Sequence, residues 1–132
     1  TLRKEAAKKD KPILVYEGGE SMRFDYLSIN EGLNGCLRLM KSYKMVDIDI
    51  PNNPSVKVIR DSWIRAAASG LFHMNANNGA HIRKDDLLGV ICNPFGEVEH
   101  KILAPVAGYI VGINNQPVVN EGDALIHIGM EE

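Results

Sequence analysis

Apolar residues change their spacing twice along this chain, and each change marks a different kind of element. Residues 1–10 place Leu2 and Ala6 on one face of a charged stretch, with Lys8 and Lys9 near its end. That is the pattern of a helix tail whose cations suit the C-terminal dipole. Pro12 stops it. Ile13-Leu14-Val15-Tyr16 is then a continuous β-rich apolar run, which predicts a strand buried on both faces of a parallel sheet. It runs into Glu17-Gly18-Gly19-Glu20. Asp25 is a candidate N-cap. After it Tyr26, Ile29, Leu33, Leu37, Met40 and Tyr43 recur at steps of three and four, which predicts an amphipathic helix of about five turns. Strand, glycine turn and helix together predict a βα element from the edge of an α/β domain. One such element cannot cover its own apolar faces, and the chain opens on Thr1 inside a helical stretch. The expectation is a piece of a longer protein.

Residues 46–54 change character: Asp47, Asp49, Pro51, Asn52, Asn53 and Pro54 read as a linker. Val56-Lys57-Val58-Ile59 and Trp63-Ile64-Arg65-Ala66 resume strand composition. Beyond them short apolar runs alternate with the turn sequences Asn77-Asn78-Gly79, Asn93-Pro94-Phe95-Gly96, Asn114-Asn115-Gln116-Pro117 and Asn120-Glu121-Gly122-Asp123. Two stretches are versions of one another. Ser69-Gly70-Leu71-Phe72 followed by Ile82 to Ile91 matches Ala107-Gly108-Tyr109-Ile110 followed by Val119 to Ile128. Both carry a small residue, Gly and two apolar residues, then a turn, then β-branched-x-x-x-Asp-x-Leu-x-x-Ile. The glycines are offset by 108 − 70 = 38 and the aspartates by 123 − 86 = 37. A strand–turn–strand unit used twice predicts a small all-β barrel or sandwich with pseudo-twofold symmetry. The predicted division is 1–45 for the α/β piece, 46–54 for the linker and 55–132 for the β domain.

Bulk properties narrow the classes. A chain of 132 residues holds one domain, or a small domain and part of another. A net charge of −2 gives no electrostatic reason to expect nucleic acid or an anionic membrane as partner. No apolar run approaches the length of a membrane span, and the expectation from Thr1-Leu2-Arg3-Lys4-Glu5, which has no apolar core behind it, is that no signal peptide is present. Lys8, Lys9 and Lys11 read as a solvated helix end rather than a binding patch. Cys36 and Cys92 lie far apart and read as reduced thiols of a cytoplasmic protein.

The four histidines, His73, His81, His100 and His127, lack close-spaced partners of the His-x-x-Glu or His-Glu-x-x-His kind. There is no Gly-x-Ser-x-Gly elbow and no Gly-x-x-x-x-Gly-Lys phosphate loop. Glu17 stands out. It sits where a buried strand would end, before two glycines, and ligands of open α/β sheets bind beyond the carboxyl ends of strands. A carboxylate there can take a proton from an activated water and pass it to a leaving amine. The alternative is a solvated or ion-paired Glu at a strand end.

Pro12 to Ser21, read as Pro-Ile-Leu-Val-Tyr-Glu-Gly-Gly-Glu-Ser, resembles the catalytic-glutamate segment of the succinylglutamate desuccinylase/aspartoacylase family of zinc-dependent deacylases. Later stretches resemble the same family in order: Trp63 to Phe72, Leu88-Gly89-Val90-Ile91, Phe95-Gly96, Ala104-Pro105-Val106-Ala107-Gly108 and Glu121-Gly122-Asp123. The resemblance implies a fold that is mainly β: a barrel-sandwich hybrid preceded by a βα remnant of a carboxypeptidase-like zinc hydrolase domain. It implies Glu17 as the catalytic residue. It also implies Zn²⁺ in the full-length protein, held by an upstream His-x-x-Glu and a later His, with no metal ligand in this chain and none bound by these residues alone. Arg23, close by, is the candidate to meet a substrate carboxylate, since guanidinium and carboxylate pair bidentately. The implied partners are a small N-acyl amino acid or similar substrate and an upstream catalytic domain, with a homo-oligomer left open.

The β half also resembles biotinyl and lipoyl carrier domains, through Gly79 to Asp85 and Ala104 to Gly108. Carriers present a modifiable Lys at a hairpin tip between their two halves. Here that hairpin is Asn93-Pro94-Phe95-Gly96-Glu97, without Lys, and Lys101 lies further along. Fold likeness alone does not transfer the carrier role. The expectations are therefore a deacylase part that is inactive alone, or else a non-catalytic carrier-like or docking β module.

Overall fold

The computed structural model describes residues 1–51, 54–97 and 99–131. The chain divides into two compact units, Thr1–Pro54 and Ser55–Glu132. Residues 46–54 fall in the first; Asn52 and Asn53 of the expected linker lie outside the described residues. Among the described residues no helix is long and apolar enough to cross a membrane.

The first unit holds two helices, α1 (Leu2–Lys8) and α2 (Tyr26–Ser42). α1 closes well before Pro12, with Asp10 in the left-handed region at φ +50°. α2 starts at Asp25, whose Oδ1 accepts from the N–H groups of Leu27 (3.1 Å) and Ser28 (3.4 Å). Those two donors would otherwise be orphaned at the helix start. The predicted strand Ile13–Tyr16 does not form. It pairs with no other segment, and Leu14 is 78% exposed. A strand needs a neighbour to take its backbone N–H and C=O groups, and none among the described residues provides one. The expected βα remnant is thus a helix with an unpaired apolar segment before it. The stripe on α2 is only partly covered: Leu37 and Met40 are half-buried, Tyr26, Ile29, Leu33 and Tyr43 are exposed, and no residue of either helix is buried.

The second unit is two antiparallel four-stranded sheets. One has the order β1 (Arg60–Arg65), β8 (Ala124–Met130), β6 (Gly108–Ile113), β3 (His81–Ile82). The other has β5 (Glu99–Leu103), β4 (Leu87–Cys92), β2 (Gly70–Met74), β7 (Val118–Val119). Val56–Ile59 is not part of a strand, although the Ile59 N–H reaches the Met130 carbonyl at 2.9 Å.

The repeat read from sequence is a repeat of structure. Leu71 opposes Cys92 in the first half, and Tyr109 opposes Gly129 in the second, the same pairing shifted by 38 and 37. The short strands are exchanged: β7 of the second half pairs with β2, and β3 of the first half pairs with β6. The relation extends to the two edge strands, which the repeat read from sequence did not include. Asp61 opposes Gly129 and Glu99 opposes Cys92, so β1 and β5 are equivalent at an offset of 99 − 61 = 38.

The core follows the same relation. Leu88 and Leu125, Ile91 and Ile128, Ile82 and Val119, and Phe72 and Ile110 are equivalent pairs, all buried. One mismatch is compensated locally. A Cβ on Gly89 would lie 2.7 Å from the Phe72 ring. The second half has the smaller Ile110 where the first has Phe72, and the larger Ile126 where the first has Gly89. The smaller residue at one position makes room for the larger one beside it.

Both halves turn on an aspartate. Asp86 Oδ2 accepts from the Arg83 N–H at 2.7 Å, and Asp123 Oδ2 accepts from the Asn120 N–H at 2.7 Å. Each turn is then clamped by a buried alanine on the equivalent edge strand's end. The Ala104 N–H donates to Asp86 O (2.9 Å) while Asp85 N–H donates to Ala104 O (2.8 Å). Likewise the Ala66 N–H donates to Asp123 O (2.8 Å) while Gly122 N–H donates to Ala66 O (2.9 Å). Asp86→Ala and Asp123→Ala are each expected to destabilise the unit by about 1–2 kcal/mol, the cost of leaving a turn N–H without its charged acceptor. Urea unfolding measures both, and a variant as stable as the parent would show that its turn is not held by the carboxylate.

Candidate active site

The segment predicted to carry chemistry is positioned by the start of α2. Tyr16 donates its hydroxyl to the Ser28 carbonyl. Its ring lies against two glycines: a Cβ would fall 2.8 Å from a ring carbon at Gly32 and equally close at Gly18. Gly32 on the helix therefore makes the seat for Tyr16. Gly19, with φ +82°, turns the chain back toward Asp25 and Ser28, a conformation that glycine adopts without a steric penalty.

These contacts enclose a cavity of about 160 Å³, lined by Tyr16, Gly18, Gly19, Glu20, Arg23, Phe24, Asp25, Ser28 and Ile29. Glu17 is exposed and is not among its lining residues, although both its chain neighbours are. Arg23 is among them, and its Nε stands 3.0 Å from Glu20 Oε1. Of the two sequence-predicted residues, then, Arg23 faces the cavity as half of an ion pair, and Glu17 lies at its margin with no buried strand behind it. Sequence reasoning did not single out Tyr16, Ser28 or Gly32. The Asp25-x-x-Ser28 spacing was the available signal, because the N-cap and the third helical residue face one another.

The electrostatics of the helix start are well defined. Ser28 Oγ donates to Asp25 Oδ2 at 2.6 Å. That bond first, then the Ser28 and Leu27 N–H groups, hold the Asp25 carboxyl below its ordinary value against the opposing effect of desolvation. Among the described residues no three His, Cys, Asp or Glu side chains gather so as to hold a metal ion. Cys36 and Cys92 are free thiols.

No family model matches the sequence, and no curated protein does. Solved structures do match. A protein from Shewanella amazonensis, assigned to the succinylglutamate desuccinylase/aspartoacylase family, aligns with 97% of this chain at TM-score 0.72 and 16% identity, over 39% of its own length. A succinylglutamate desuccinylase from Silicibacter sp. TM1040 aligns with 83% at TM-score 0.68 and 19% identity, over 35% of its length. The ectoine utilization protein EutE from Ruegeria pomeroyi, in a product-bound structure, aligns with 81% at TM-score 0.68 and 19% identity, over 34%. The chain shares the fold of these proteins. It spans about a third of the length of the latter two.

The lowered Asp25 carboxyl has a signed consequence. A group whose folded pKa is depressed stabilises the fold above its unfolded pKa, and that support is lost as pH falls through the folded value. The first turn of α2 is expected to stay closed at neutral pH and to fray on acidification below the usual carboxylate range. Asp25→Asn, which caps without titrating, should flatten that dependence. Amide exchange at Leu27 and Ser28 against pH checks it; a parent protein with no acid-dependent rise, or an Asn variant with the same rise, would remove Asp25 as the cause.

Proposed function

We propose that these residues are the C-terminal part of a zinc-dependent hydrolase that deacylates a small N-acyl amino acid, or a related amide or ester. What carries the reading is the breadth of the likeness. It runs over 97% of the chain, and so includes both the Glu17 segment and the β unit, in structures of a single deacylase family. On this reading the second unit is a barrel-sandwich hybrid that caps the active-site mouth or sets subunit contacts. Two free thiols fit a cytoplasmic protein. The carrier reading gains nothing, since the hairpin tip between the halves presents Phe95, 83% exposed, where a carrier presents lysine.

Zinc needs three or four well-placed donors, and the described residues do not supply such a set. The metal of this reading would be held by residues outside the chain. The role assigned to the chain's own residues is proton transfer and substrate positioning. Glu17, exposed beside two glycines, takes the proton of the attacking water and returns it to the departing amine, which lets that amine leave uncharged. Arg23 pairs with a substrate carboxylate by exchanging its partner Glu20 for it.

In the full-length enzyme, Glu17→Gln keeps the shape and removes the base. It is expected to lower kcat by roughly 10²–10⁴ with zinc content and folding unchanged. Near-normal kcat on an N-acyl amino acid that the parent cleaves would take Glu17 out of the mechanism. Arg23→Gln should raise KM by roughly tenfold with little change in kcat, the signature of lost uniform binding. An unchanged KM would assign Arg23 to its ion pair with Glu20 alone.

A further inference from the structure

The second unit contains a cavity that the deacylase reading does not use. It has a volume of about 380 Å³ and opens between two turns, one following β2 and the other following β6. The turns are equivalent in the repeat. Past the bulge in β6, Asn75 corresponds to Asn114, their N–H groups reaching the equivalent carbonyls of Leu88 and Leu125, and Ala80 corresponds to Pro117, so the turn is two residues shorter in the second half. Asn77, Asn78, Asn115 and Gln116 all line the cavity. Turns at equivalent places in the two halves thus face each other across the pseudo-twofold relation, and both carry side-chain amides.

Below this rim the wall is apolar: Phe72, Met74, Ala76 and Ile113 line it. Phe72 is buried, and the other three are half-buried against the core. None of the ten lining residues is charged. The turns are held in place by the opposite half. The Gly79 N–H donates to Ile110 O (2.8 Å), and the Phe72 N–H donates to Pro117 O (2.8 Å). Asn114 is used internally, giving its Nδ2–H to Ala124 O and accepting from the Gln116 N–H. The side-chain amides of Asn77, Asn78 and Gln116 bond to no described residue.

We infer that this cavity is a binding site for a small uncharged ligand bearing amide-type groups on either side of a compact apolar body. A primary amide both donates and accepts, so amides disposed on two sides match a ligand that does the same. A charged ligand would lose its hydration without gaining a counter-charge, which is costly. The volume falls within the range of small-molecule sites, and half of the ten lining residues carry side-chain amides above the apolar wall. The site draws on no residue of the candidate active site, so it stands or falls separately from the deacylase reading.

The test is a titration of the isotope-labelled 132-residue chain, followed by amide resonances. N-acetyl-leucinamide is the neutral probe, N-acetyl-leucine its anionic counterpart, and a capped neutral pentapeptide the second arm. Saturable shifts confined to residues 72–78 and 113–117 with N-acetyl-leucinamide, at least tenfold weaker with the anion, are expected. Binding of the free capped amino acid alone would mark a small-molecule site, and equal or tighter binding of the pentapeptide would mark a peptide site; either supports the shared amide chemistry. Asn78→Asp, on the exposed rim, should weaken the neutral probe about tenfold, the worth of a lost neutral donor and an added charge. Ala76→Leu fills the wall and should abolish binding. No saturable shift up to about 50 mM, far above weak millimolar constants, would overturn the proposal. So would shifts that both variants leave unchanged.

Discussion

The β unit depends on two backbone clamps that share one design. Ala66 and Ala104 are buried, and each exchanges a pair of N–H···O=C bonds with an aspartate-stabilised turn of the other chain segment. A buried peptide group without a partner is costly, so each alanine fixes where its turn must lie. That in turn fixes the start of β4 and of β8, the two strands that supply Leu88, Ile91, Leu125 and Ile128 to the core. Alanine suits the position because a larger side chain would compete with that core for space.

Sequence spacing exposed the repeat because turns impose identities. Gly70 and Gly108, and Asp86 and Asp123, occupy positions where backbone geometry leaves few choices. It did not expose the kinship of β1 and β5. Edge strands meet solvent on one side, so Arg60–Arg65 and Glu99–Leu103 have diverged, and only the inward pairs Ile64 with Ile102 and Ala66 with Ala104 still match. The α2 start was legible for the same reason as the turns: Asp25 has a local job that few residues can do. The strand over Ile13–Tyr16 was misread because an apolar run states only that burial is favourable. Whether it pairs depends on chain that is far away in sequence.

The candidate site shows the same limit. Glu17 and Arg23 could be named, but not their surroundings, since the Tyr16 ring reaches its place through Gly32 and the Ser28 carbonyl, which are contacts between segments. The amide-rimmed cavity was present in the sequence only as two Asn-rich turns. Asn is so common in turns that its recurrence there carried no signal until the fold brought both to one opening.

The exchange of β3 and β7 has a consequence for how the unit can be cut and joined. Each half lends its short strand to the other, so neither half closes a sheet alone. Yet the order of the halves is arbitrary. Cys92 and Glu99 are joined by the 93–97 hairpin, while the equivalent Gly129 and Asp61 are paired in the same way without a link. The unit therefore has no topologically privileged beginning. Its entry at residue 55 occupies a place where, seen from the other half, a hairpin loop would do equally well. A module built this way can be attached to other chain segments through one pair of neighbouring strand ends while every strand pairing is kept.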